Sequence, residues 1–243
     1  MLVVWRAPQA RSTLDIDLLG RVNNQEEEIV ARIRDVLSVS AQADGLEFDL
    51  DSIRTERIAE QADYAGVRIR FRASLASARI QLQLDIGFGD IVYPQPEKLP
   101  LPTILDLPAP LLLCYSREST VAEKLEAMVR FGMLNSRMKD FYDLWWLSRR
   151  FDFDGDKLTE AIRLTFARRG TDLPAKIEPF TGSFVSAGRR LWTAFRKRLR
   201  PQDAPEDFAQ VVAALDGFLS PVIATLTLGA PVPGKWFAPG PWI

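Results

Sequence analysis

The sequence predicts an α+β protein, a mixed sheet with one or two helices followed by a helical half. Three observations carry that reading. Short runs in the N-terminal part alternate apolar and polar residues. From about residue 117 onward, apolar residues recur at helical spacing. Between the two regions, residues 94–110 hold six prolines, which interrupt both patterns and mark a mostly extended connection. The expected organisation is a sheet domain over 1–115, a helical domain over 116–228, and a Pro/Gly-rich tail, 229–243, extended over the surface.

The first element is a short strand through "RSTLDIDLLG", residues 11–20. Leu14, Ile16 and Leu18 point one way, and Thr13, Asp15 and Asp17 the other. A helix over 23–42 follows, with an asparagine cap, acids in its first turn and a stripe of Ile29, Ile33, Val36 and Leu37. After "LEFDLDSIRTERI" come two alternating runs. "VRIRFRA" sets Val67, Ile69 and Phe71 against Arg68, Arg70 and Arg72. "RIQLQLDIG" sets Ile80, Leu82, Leu84 and Ile86 against Arg79, Gln81, Gln83 and Asp85. They read as an antiparallel pair with one apolar and one polar face. "APLLLCYS" adds a buried strand, with Cys114 as a small core residue.

In the helical half, "STVAEKLEAMVRFG" offers Thr120 and Glu123 as a capping box, a stripe of Val121, Leu125, Met128 and Val129, and a closing Gly132. "MKDFYDLWWLSRRF" and "GDKLTEAIRLTFARRG" read as two further helices, and 183–200 and 205–226 as two more.

Composition narrows the chemistry. Lys+Arg is 31 and Asp+Glu 32, so net charge says nothing about partners. The chain has no histidine and one cysteine. A Cys/His zinc site within one chain is excluded, as are Ser-His-Asp and Cys-His catalysis and an intrachain disulfide. That fits a reducing compartment, and a cytoplasmic location is expected. No stretch reads as the ~18 apolar residues of a membrane span, and the N-terminus is not a signal peptide, so no membrane association is expected.

Asp15 and Asp17 share one strand face, their bases ~7 Å apart. Two carboxylates that close repel unless a cation sits between them. Oxygen-only ligands select a hard ion such as Mg²⁺; the plainer alternative is an edge strand with solvated acids. If both strands pack their apolar faces on one core, Asp85 joins the pair, and three convergent carboxylates can serve phosphoryl chemistry. Arg68, Arg70 and Arg72 either pair with acids across the strands or meet phosphates; three on one face favour phosphates. Lys124 lies at the margin of its helix stripe, where its stem can cross the core and its ammonium reach a cleft. Glu123 is either the capping acid or a site residue. Asp140 and Asp143 share a helix face, as do Lys139 and Asp143. They read either as a surface Lys–Asp pair or as carboxylates aligned by packing. Residues 188–200 hold six basic residues and no acid. This is either a solvated helix face or a surface that tracks RNA phosphates.

"RSTLDIDLL", "LDIGFGD", "VAEKLEAMVRFG" and "SRMKDFYDLWWL" resemble, in order and spacing, the AbiEii-type nucleotidyltransferase toxins of bacterial abortive-infection, type IV toxin–antitoxin systems. The resemblance runs from residue 3 to about 150. It implies a polymerase-beta-like nucleotidyltransferase sheet domain with a C-terminal helical domain. By position, it makes Asp15, Asp17 and Asp85 metal ligands for Mg²⁺. Lys124 becomes the phosphate-contacting lysine, Asp140 the acid of the last motif and a candidate base, and Arg11 and Thr13 nucleotide-binding residues. The implied reaction moves a nucleotide from an NTP, GTP or CTP, to RNA (tRNA for some members) or protein, by in-line attack and release of pyrophosphate. A cognate antitoxin from the same operon opposes it. Such proteins carry a Gly-containing turn that cradles the triphosphate just ahead of this point. No glycine precedes Gly20 here, so that segment is expected to be missing. Two rival readings are a catalytically silent nucleotide- or protein-binding remnant and a carboxylate-metal nuclease.

Overall fold

The computed structural model describes residues 16–39, 44–59, 65–103, 106–199 and 204–243. They form two compact units, a sheet unit that ends at Asp90 and a helical unit that begins at Ile91. The segment 91–115, grouped with the sheet on composition, belongs to the helical unit.

The sheet unit has four strands in the order β1-β4-β3-β2, with a helix, α1 (Glu26–Leu37), between β1 and β2. Strand β1 (Ile16–Gly20) runs parallel to β4 (Ala78–Phe88). Strands β2 (Leu46–Ala59), β3 (Ala65–Leu75) and β4 are antiparallel neighbours, so the sheet is mixed, as expected. Ala76 takes a left-handed φ of 51° in the tight turn from β3 to β4. The alternation settles the register. Val67, Ile69, Phe71 and Ile86 are buried in one cluster with Ile29 of α1 and Ile53 of β2. Because the side-chain period is two, their polar neighbours are turned to the other face.

Three local expectations are corrected here. Helix α1 begins at Gln25, which makes no side-chain cap bond, rather than at an asparagine. Glu26 is tied instead to Thr55 and Arg57 of β2. Ile16 and Leu18 are exposed, because β1 is an edge strand with few packing partners. Arg68, Arg70 and Arg72 pair across the strands with Asp85, Glu56 and Asp49 instead of forming an open phosphate platform.

The helical unit opens with a ribbon, β5 (Glu97–Pro100) paired with β6 (Leu111–Cys114). Cys114 is buried, but Leu111, Leu112 and Leu113 are exposed, so the run is an exposed strand of a two-stranded ribbon and not a core strand. Helices α2 (Arg117–Phe131), α3 (Met138–Arg150), α4 (Gly155–Arg169), α5 (Gly182–Leu199) and α6 (Phe208–Leu228) follow. The N-cap of α2 is Ser116, whose hydroxyl accepts from the Ser119 amide. Thr120 lies inside the helix and bonds the Ser116 carbonyl, so the expected Thr120/Glu123 capping box does not form. The stripe is real, with Val121, Leu125 and Met128 fully buried.

Aromatic rings dominate this core. Phe141 of α3 meets Phe184 of α5 and Phe208 of α6 at 5.5 and 5.2 Å between centroids. Helix α6 is long and apolar enough to cross a membrane, contrary to the sequence reading. It is apolar because Val211, Leu215, Phe218, Leu219 and Val222 are buried in this core. The tail is mostly exposed, as expected, but it is pinned to the helical unit. Lys235–Trp236 (β8) pairs with Phe153–Asp154 (β7). Trp236 is buried and gives its indole N–H to the Ser148 carbonyl, and Trp242 gives its own to the Phe218 carbonyl. Gly155 permits this approach. Its amide bonds the Gly234 carbonyl, and a Cβ there would overlap the Pro233 carbonyl oxygen.

Candidate functional site

Each unit contains one concentration of the residues singled out by sequence. In the sheet unit, Asp17 is the direct register partner of Asp85 across the parallel pair β1–β4. Asp85 is in turn the register partner of Arg68, and Arg68 of Glu56. Residues directly opposite on neighbouring strands face the same side, about 4.8 Å apart. Asp17, Asp85, Arg68 and Glu56 therefore form one row across all four strands on the polar face.

Arg68 grips Asp85 with a two-pronged fork, Nε to Oδ1 at 2.8 Å and an Nη to Oδ2 at 2.7 Å. The Gln83 amide donates to the same Oδ1 at 3.2 Å. The Asp85 side chain keeps 16% of its surface and Arg68 27%, so the pair is partly desolvated and held in one orientation. Asp17 lies on the exposed edge strand. Arg11, Thr13 and Asp15 fall outside the described residues. Among the described residues no group of three His, Cys, Asp or Glu side chains is placed to hold a metal. The two acids that are described still fit a hard cation. They are adjacent, carry oxygen donors only, and Arg68 and Gln83 leave lone pairs on Asp85.

In the helical unit, Lys124 of α2 puts its ammonium between two acids of α3, 2.7 Å from Asp140 Oδ1 and 3.1 Å from Asp143 Oδ2. Arg137 closes the cluster, with Nε 2.6 Å from Asp140 Oδ2. Asp140 and Asp143 are 1% and 0% exposed, and Lys124 retains 17%. Burial alone would lower the lysine pKa, but the carboxylates of Asp143 and Asp140 outweigh it and hold the ammonium above the ordinary lysine range. Burial would likewise raise Asp140. Lys124 and Arg137 outweigh it and hold Asp140 below the ordinary carboxylate range. The Asp140–Asp143 spacing therefore serves a buried bridge between helices, not a surface Lys–Asp pair.

A second buried bridge joins α2 to α4. Glu126, fully buried, accepts from Arg169 at 2.9 Å and from the Thr171 hydroxyl at 2.7 Å, with Arg130 at 3.3 Å. Glu123 faces Arg169 at 3.8 Å and does not serve as the capping acid, since Ser116 caps the helix. Sequence reading missed Glu126 and Arg169. They are 43 positions apart, and no local spacing links them. Arg137 was detectable, since i and i+3 share a helix face, but it lies one residue ahead of α3.

On α5, Arg189, Arg190, Lys197 and Arg198 are exposed. Arg196 is near Glu206, at 3.7 Å. The apolar side of the same helix buries Trp192 and Phe195.

Residues 1–214 match the family model described as nucleotidyl transferase AbiEii toxin, type IV TA system. No curated protein matches the chain in sequence. Two solved structures from Helicobacter pylori are similar. One is a candidate nucleotidyltransferase with a TM-score of 0.49 at 12% identity, covering 93% of this chain and 86% of that one. The other is JHP933, with a TM-score of 0.47 at 11% identity, covering 93% and 84%.

Proposed function

The chain belongs to the AbiEii family of nucleotidyl transferase toxins from type IV toxin–antitoxin systems, and on that premise we propose a Mg²⁺-dependent, cytoplasmic enzyme that transfers a nucleotide from GTP or CTP to RNA. Membership makes the protein a nucleotidyltransferase with a cognate antitoxin. The observation that supports the metal is the register of Asp17 against Asp85 on one sheet face. Two carboxylates directly opposite on one face are the arrangement to which a divalent cation can add charge compensation.

Asp17 and Asp85 would hold the divalent cation, with Asp15 assigned on the motif alone, as Arg11 and Thr13 are to the nucleotide. When bound, such an ion supplies positive charge that neutralises the triphosphate and makes the acceptor hydroxyl more acidic. The chain's own groups do the rest. Arg68 and Gln83 fix the orientation of Asp85. Lys124 gives two of its three N–H groups to Asp140 and Asp143; its assignment to a phosphate rests on the motif alone. Asp140 suits a positioning role better than that of a base. Both its oxygens accept from cations, and a carboxylate held below its ordinary range is a poor proton acceptor. RNA is preferred over protein as the acceptor because α5 exposes Arg189, Arg190, Lys197 and Arg198, a face suited to phosphates.

The test is incubation with Mg²⁺, labelled GTP or CTP, and bulk tRNA. The expected result is labelled RNA longer than the acceptor by the nucleotides added, with pyrophosphate released, and loss of that incorporation in Asp17→Asn. Shortened RNA without label would replace this reading with a nuclease. Absence of both, with no metal-dependent nucleotide binding, would replace it with a silent remnant.

A further inference from the structure

The row Asp17–Asp85–Arg68 contains a cation of its own. We propose that Arg68 is a resident counter-cation that competes with a free divalent metal for Asp85, so that the pair favours metal already carried by a nucleotide. The inference rests on the metal reading of Asp17 and Asp85. It is carried by three observations. Arg68 engages both Asp85 oxygens, at 2.8 and 2.7 Å. Arg68 and Asp17 are the register partners of Asp85 on its two sides, so the guanidinium lies within two strand spacings of any ion at the acid pair. The Arg68–Asp85 pair is partly desolvated, where screening is weaker than in water.

The consequence is a matter of sign. A bare divalent ion meets a fixed positive charge beside its ligand, and must share oxygens that Arg68 already uses. A divalent ion bound to a triphosphate arrives with net negative charge and is attracted by the same guanidinium.

The experiment is a titration of the full chain with Mn²⁺, followed by its electron paramagnetic resonance signal, with and without GTP or CTP. The proteins are wild type, Arg68→Gln, Arg68→Lys and Asp17→Asn, with circular dichroism confirming that each is folded. Arg68→Gln should bind free Mn²⁺ about tenfold more tightly than wild type, and Mn²⁺ with nucleotide no more tightly. Arg68→Lys, which keeps the charge but loses the fork, should stay within about twofold of wild type. Binding that depends on Asp17 yet is unchanged or weaker in Arg68→Gln overturns the inference and leaves the metal reading intact. Equal gains for free and nucleotide-bound Mn²⁺ also overturn it. Absence of Asp17-dependent binding in every protein overturns the inference together with the reading beneath it.

Discussion

In the helical unit, Asp140 and Asp143 are 1% and 0% exposed and share one lysine. In the sheet unit, Asp85 keeps 16% exposure beside Asp17 on an exposed edge strand. Both units thus place two carboxylates and a basic side chain together, but burial gives them different work. A buried ion pair loses so much hydration that each member depends on the others. Lys124 therefore cannot leave Asp140 and Asp143 without stranding charge in the core. The sheet cluster remains open to water on one side. The lesson is that the motif "AEKLEAM" with "KDFYDL" is at once a structural clamp and a candidate site, whereas Asp17 lies on an exposed edge strand.

The sharpest way to break this contrast is to remove one member from each cluster. Lys124→Met removes the ammonium that bridges two buried carboxylates and should cost about 3–5 kcal/mol of stability, read from denaturant unfolding of the whole chain. Asp17→Asn should leave the same unfolding curve within about 0.5 kcal/mol while removing activity. If both variants unfold alike, the two clusters do not differ in the way burial implies.

How much of this was legible in the sequence follows from the range of the forces involved. Strands β3 and β4 and helices α2 to α6 rest on periodicity, which is local, and the alternation of Val67, Ile69 and Phe71 with three arginines placed the sheet face correctly. The pairing of Asp17 with Asp85 was also accessible, because two strands with apolar residues on alternate positions must turn their acids to the same side. Caps were misjudged where several hydroxyls competed. Ser116 wins over Thr120 because Pro110 to Ser116 is extended, and the helix starts as soon as that strand ends. The anchoring of the tail was not legible because Pro and Gly content says nothing about where a tryptophan docks, and Trp236 and Trp242 find carbonyls that only the tertiary fold supplies. Glu126 with Arg169 belongs to the same class of long-range pairing.

The pH dependence sharpens the comparison further. Asp140 has its folded pKa below the ordinary value of about 3.9, so between those values the native state binds fewer protons than the unfolded chain. Its stabilisation is fully present above about pH 5 and is lost as pH falls through the folded value. Lys124 has its folded pKa above about 10.4, so its share is present at lower pH and is lost only as pH rises through that folded value. The share of stability from Lys124 and Asp140 should therefore be flat from about pH 5 to about pH 10. Asp140→Asn should be less stable at neutral pH and show a shallower decline in acid, measured by thermal melts at successive pH values. An acid decline as steep as wild type would mean that other carboxylates set it.

The smallest effect belongs to the sheet's outer ion pairs, and it tests whether burial or mere pairing is decisive. Arg72 contacts Asp49 at 2.7 Å, shorter than the 3.1 Å between Lys124 and Asp143. If distance alone set the strength, Arg72→Gln would be the costlier change. Its side chain is 60% exposed and Asp49 42%, so water and salt screen the attraction and the loss of side-chain entropy offsets much of it. Arg72→Gln should shift stability by no more than about 1 kcal/mol, and that shift should shrink toward zero at about 1 M salt. A loss comparable to Lys124→Met, persisting in salt, would show that the polar face of the sheet is a rigid charge lattice. Arg68 could then not give way to a metal without cost to the fold.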